Sequence, residues 1–188
     1  MEELIKKRIN EHLQAVEILS QDKIKTIGII SKKIIECYKR GSKVVLFGNG
    51  GSCTDSMHIA GELVGRYYLN RKSLPAIALS DSGNITAIGN DFGFENVFER
   101  QVEGLVKKGD VVIGISTSGN SNNVIKGIEK AKSIGAITVC FTGQGGKLRE
   151  TADIALCIPS NDTPRIQEVY MLSAHIICEI VEKELCDK

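Results

Sequence analysis

A chain of 188 residues that is 42% hydrophobic is long enough for one domain with a continuous core. A net charge of +1, scattered basic residues and 5% aromatics exclude an electrostatic footprint or stacking platform for nucleic acid. The charged start Met1-Glu2-Glu3-Leu4 is not a signal peptide, no window is apolar enough to span a bilayer, and the cysteines at 37, 53, 140, 157, 178 and 186 form no CxxC pair, so the chain is expected in the cytoplasm with reduced thiols, without a membrane partner.

In chain order, Leu4, Ile5, Ile9, Leu13, Val16 and Leu19 recur at helical spacing. Asp22 is placed to cap a second helix carrying Ile24, Ile27, Ile30, Ile34 and Cys37, which Gly41 stops. Two amphipathic helices ahead of any strand need a surface to cover, in the domain or on another subunit. From residue 43 the pattern changes to short β-branched apolar runs: Val44–Phe47, Ala76–Leu79, Val111–Ile115, Ala136–Phe141 and Ile154–Ile158. Such runs suit strands buried on both faces, and helical stretches lie between most of them. The expectation is an α/β chain with a five-stranded parallel sheet and right-handed crossovers. A last helix runs from about Pro164 to Leu185, with Pro164 in its first turn and Asp162 or Thr163 near its cap.

Two strand-to-helix loops carry the chemical signal. The first is Gly48-Asn49-Gly50-Gly51-Ser52, where glycines admit a ligand close to the backbone and helix-start amides attract an anion. Its bland reading is a tight turn. The second, Ser116-Thr117-Ser118-Gly119-Asn120-Ser121, places four hydroxyls within six residues as donors to phosphate oxygens. Its bland reading is a polar turn with Ser121 as helix cap. Ligands of open parallel sheets bind at the carboxyl ends of strands, where both loops lie. No GxxxxGK[ST] is present, and Cys53 stands where a dinucleotide fingerprint needs its third glycine.

His58 and Glu62 share a helix face four residues apart. Such a pair serves a metal or a proton transfer, although more often it is a surface interaction. Gln167 and His175 are eight residues apart on the last helix, about 12 Å along its axis. If both serve one ion, the helix bends or a second subunit contributes; the second option is the expectation.

Together, GNGGS at 48–52, MHIAGELVGRY at 57–67, AIGNDFGFENVF at 87–98, GISTSGNSNNV at 114–124 and RIQE with the later His175 resemble the phosphoheptose isomerases of the sugar isomerase (SIS) fold, over nearly the whole chain. The resemblance implies one SIS domain over 1–188, with N-terminal helices over 1–40 for oligomer packing and the sheet core and last helix over 43–188. It implies conversion of sedoheptulose 7-phosphate to D-glycero-D-manno-heptose 7-phosphate through a cis-enediol, with Glu62 and His175 as the acid–base pair. It further implies a substrate site of Asn49, Gly50, Gly51, Ser52, Glu62, Arg66, Asn90, Asp91, Ser116, Thr117, Ser118, Ser121 and Gln167. The implied zinc, one per subunit, is held by His58, Glu62, Gln167 and His175, in a homotetramer. Pro164 departs from relatives that carry an acid before the Arg of RIQE. The alternative is a non-catalytic SIS-fold protein, either a sugar-phosphate sensor or a replication-initiation regulator. The regulator lacks the glutamate after MH and the late histidine, both present here.

Overall fold

The computed structural model describes residues 1–186. Five parallel strands, β1 (Val44–Gly48), β2 (Ala76–Ala78), β3 (Val111–Ser116), β4 (Ile137–Thr142) and β5 (Ile154–Cys157), form one sheet in the order β2-β1-β3-β4-β5. β1 and β3 are buried throughout, because helices cover both faces of the sheet. β2, at one edge, is only partly buried.

The pleat sorts the core. Val44, Leu46, Val111, Ile113, Ile115 and Phe141 face one way, and pack with α2 (Ile24–Lys39), α3 (Gly51–Val64) and α8 (Thr163–Cys186). Val45, Phe47, Val112 and Cys140 face the other way, with α5 (Val97–Leu105) and α6 (Asn122–Ile134). Successive strand residues point to opposite faces, so β1, β3, β4 and β5 contribute to both layers. α4 (Ser82–Phe92) follows β2 and buries no residue, while α7 (Leu148–Thr151) precedes β5.

α1 (Glu2–Asp22) runs almost into α2, with only Lys23 between them. Asp22 therefore closes α1 and does not cap α2, whose N-cap is Lys23 without a side-chain bond. α1 buries only Ala15 and Leu19, and Leu4, Ile5, Ile9 and Leu13 stay more than half exposed. The α8 boundary matches expectation: Thr163 and Pro164 open its first turn, and the Ile166 amide donates to the Asp162 carbonyl. No helix among the described residues is long and apolar enough to cross a membrane.

Candidate active site

Gly48 of β1 pairs with Ile115 of β3, so the two glycine- and serine-bearing loops leave neighbouring strands at the same end of the sheet. Their side chains join. The Asn49 and Asn123 amides exchange hydrogen bonds of 2.9 and 3.0 Å, and Asn123 Oδ1 also accepts from the Val124 amide. The first loop is thereby pinned to the start of α6. Asn123 escaped the sequence reading, since an Asn in GNSNNV looks like a cap residue.

The serine loop is built as a cradle. Ser116 Oγ is its hub, 2.9 Å from Ser121 Oγ and 3.4 Å from Ser118 Oγ. Ser121 is the N-cap of α6, yet its hydroxyl makes no cap bond and turns to Ser116 instead. The amides of Asn122 and Asn123 have no backbone partner among the described residues, so they remain open to an anion at the helix start. The loop is held from behind. Gly143 N donates to Thr117 O, Leu148 N to Gly119 O, and Lys147 N to Asn120 Oδ1. Gly119 adopts φ +67°, and a Cβ there would sit 2.5 Å from the Gly145 carbonyl oxygen. Only glycine fits that approach.

α3 begins at the first loop, with Gly50 as its N-cap, and carries the ionisable groups away from it. The Ser52 hydroxyl lies 3.1 Å from the Tyr170 phenol, which donates to Asp55 Oδ2 at 2.5 Å. Tyr170 has one proton and gives it to Asp55, so Ser52 is the donor in its own bond to Tyr170. Burial pushes the Tyr170 phenol above its ordinary range, and the bond to Asp55 adds to this. It stays a neutral donor. Tyr170 and Asp55 were not singled out from sequence, because a lone Tyr in an apolar helix reads as core.

Further along α3, His58 Nε2 lies 3.1 Å from Glu62 Oε1 and 3.3 Å from His175 Nε2 of α8. One ligand atom from each of the three residues lies within 4.8 Å of the others. Donors about 2.1 Å from one tetrahedral ion stand about 3.4 Å apart, so this donor set fits a zinc-type cation. Two imidazole nitrogens 3.3 Å apart, one of them beside a carboxylate, suit a shared cation. The His175 ring sits against His58, with the Tyr67 ring 6.0 Å away.

The remaining candidates are more dispersed. The Gln167 amide covers Gly51, where an added Cβ would meet its Nε2 at 2.6 Å. It makes no hydrogen bond to His58, Glu62 or His175. Gly51 precedes His58 by seven residues, about 10 Å of helix rise. Arg66, just past α3, is exposed and has no hydrogen bond or ion pair among the described residues. Asn90 and Asp91 end the exposed helix α4; Asn90 Nδ2 donates to Asp91 Oδ1 at 2.8 Å, and no bond ties either to the two loops. Asp162, near the start of α8, lies 3.5 Å from Arg8 of α1.

The SIS domain family matches residues 7–143. The chain is 48% identical to the phosphoheptose isomerase of Aquifex aeolicus over the full length of both chains. It is 49% identical to that of Clostridium acetobutylicum, covering 98% of this chain and 96% of the relative. The solved structure of a phosphoheptose isomerase from Francisella tularensis superposes with a TM-score of 0.93 at 32% identity, over 96% of this chain and 97% of the other.

Proposed function

The chain belongs to the phosphoheptose isomerases, a SIS-domain family, and from that premise we propose how its residues perform the reaction. The activity is interconversion of sedoheptulose 7-phosphate and D-glycero-D-manno-heptose 7-phosphate, an aldose–ketose isomerisation. One observation carries the assignment of residues: His58, Glu62 and His175 meet at the α3–α8 seam, on the helix that starts at the loop beside the serine cradle. A scaffold that only binds a partner has no chemical need for that cluster, so the non-catalytic alternative is not favoured.

The Ser116, Ser118 and Ser121 hydroxyls, the Thr117 segment and the open α6 amides hold the phosphate. Remote binding there fixes the reacting carbons against the acid–base groups. His58 lies six residues beyond Ser52, about 9 Å along α3. An extended seven-carbon phosphate reaches on the order of 10 Å at ordinary C–C bond lengths. The loop that opens α3 beside the cradle and the cluster are thus separated by about the length of one substrate.

Isomerisation removes a proton from C1 of the ketose and returns one to C2, while a hydroxyl proton passes between O1 and O2. Glu62 and His175 divide these transfers, each within reach of the same small volume. His58, Glu62 and His175 would hold a zinc ion, one per subunit, which when bound would polarise the carbonyl and steady negative charge on the oxygens. Gln167, lying over Gly51 within its own chain, completes the ligand set from a neighbouring copy. Asn49, Gly50, Gly51, Ser52, Arg66, Asn90 and Asp91 line the sugar. Asn90, Asp91 and Arg66 are exposed, as residues serving a site between copies would be. The uncovered apolar positions of α1, with Phe92 and Phe94 at 49% and 58% exposure, support a homotetramer. Six free cysteines suit a reducing, cytoplasmic setting.

The test is turnover of sedoheptulose 7-phosphate before and after chelation, with zinc added back. Turnover that the chelator abolishes and zinc restores supports the reading. Undiminished turnover in the fully stripped protein removes the zinc, and no turnover under any metal removes the residue assignment.

A further inference from the structure

Beside the His58–Glu62–His175 cluster lies a buried ion pair that the mechanism does not use. Glu182 of α8 and Arg71, in the segment after α3, are 2% and 4% exposed in their side chains. Every side of the carboxylate is engaged. Oε1 accepts from Tyr67 N at 3.0 Å and from Arg71 Nε at 2.8 Å, and Oε2 accepts from Tyr68 N at 2.7 Å and Leu69 N at 2.9 Å. The guanidinium is equally committed. NH2 donates to the Glu62 carbonyl at 2.9 Å, and NH1 to the carbonyls of Leu63, Gly65 and Lys72.

Those partners are not scattered. The carbonyls of Glu62, Leu63 and Gly65 are the last turn of α3, the turn that carries the Glu62 side chain. Glu182 lies on α8 two turns beyond His175. The three amides belong to the segment whose Tyr67 ring faces His175. Arg71 thus caps α3 and Glu182 fixes that cap to α8, so the pair sets the separation of the two helices that supply the cluster. Burying two charges is costly and is not by itself a route to stability. Fully paired, it fixes geometry instead, as groups behind metal ligands do.

We propose that Arg71 and Glu182 are positioning residues that hold Glu62 and His175 at ligating distance. The inference rests on the reading of the cluster as the zinc and acid–base site. Lys43 and Asp110 provide an internal control. They form a second pair with a buried carboxylate, 2.5 Å apart, where β1 and β3 begin, at the opposite end of the sheet from the loops.

The experiment compares wild type, E182Q, R71K and D110N, each purified, stripped and titrated with zinc in competition with a chromophoric chelator, well below the melting temperature of each variant. E182Q and R71K are expected to bind zinc about 10- to 100-fold more weakly. Reconstituted at saturating zinc, they are expected to lose kcat with little change in KM, because the phosphate cradle is untouched. D110N is expected to lower the melting temperature while keeping zinc affinity and kcat within about threefold, as a distant independent site should. Should E182Q not fold, R71K carries the test, since Lys keeps a charge on Glu182 but lacks the fork that spans to the Glu62 carbonyl. Zinc affinities in E182Q and R71K that match D110N would overturn the proposal. A wild-type chain that binds no zinc removes the site reading as well, whereas equal binding by wild type and E182Q removes only this inference.

Discussion

Substitution of Ser116 by alanine tests the anion cradle most directly. Ser116 closes β3, is 4% exposed, and bonds both Ser121 and Ser118 through one oxygen. Removing that oxygen deletes one hydroxyl from the cradle, takes away the partner of Ser121 and leaves Ser118 held by the Asn120 amide. A hydrogen bond to a charged group is worth about 1.5–3 kcal/mol, which corresponds to about a 10- to 150-fold loss of affinity at about 1.4 kcal/mol per decade. The phosphate does not change during the reaction, so the loss falls equally on bound substrate and transition state. KM therefore rises by that factor, while kcat stays within about threefold. Ser118 is exposed and not a hub, so Ser118→Ala lies at the lower end, about 10-fold. Steady-state kinetics with sedoheptulose 7-phosphate, together with inhibition by inorganic phosphate, measure both values. Inhibition by phosphate should weaken in parallel with KM. A drop in kcat of an order of magnitude at unchanged KM would refute the reasoning, because it would put Ser116 at the reacting carbons.

Glu62→Gln keeps the side-chain shape but removes the proton acceptor 3.1 Å from His58; kcat should fall by about 10²–10⁴-fold with substrate still bound, and substantial turnover would end its catalytic role. Tyr170→Phe leaves Asp55 without its 2.5 Å donor and the buried Ser52 hydroxyl without an acceptor, a loss of about 2–4 kcal/mol; for a chain of this size that lowers the melting temperature by about 5–15 °C, and a fall below 2 °C would contradict the network. Burial raises the Glu182 carboxyl, but the Tyr68, Tyr67 and Leu69 amides and Arg71 outweigh it and bring it down to about 2 from an ordinary 4.5. Its stabilisation is therefore complete above about pH 4.5 and is lost as pH falls toward 2. Urea unfolding should show E182Q weaker than wild type by about 2–3 kcal/mol at neutral pH, the gap shrinking on acidification; a gap independent of pH would show that charge is not the reason.

Much of this architecture is written locally. Val44–Phe47 and Val111–Ile115 are short, β-branched and apolar on every position, and that pattern admits little except a strand covered on both faces. The loops GNGGS and STSGNS could be recognised because glycine and hydroxyl content are properties of the residues themselves. Where the reading of local signals slipped, the competing contact was close at hand. Asp22 follows the cap rule but was absorbed into α1, since only Lys23 is needed to turn the chain. Ser121 sits at the cap position but spends its hydroxyl on Ser116.

What sequence alone determined, then, was the order of strands and helices, the loops at the strand ends, and a His–Glu pair four apart on one helix, because each depends on neighbours within a few residues. What only the tertiary structure decided was which distant groups meet. His175 closes on His58 across 117 residues, and Tyr170 reaches Asp55 across 115. Glu182, which in the run Val181-Glu182-Lys183-Glu184 reads as a solvent-facing charge, is among the most buried polar side chains described. Composition cannot distinguish it from Glu184. The difference arises because α3 and α8 pack side by side, and that packing alone brings three amides and a guanidinium to one carboxylate and withholds them from the other.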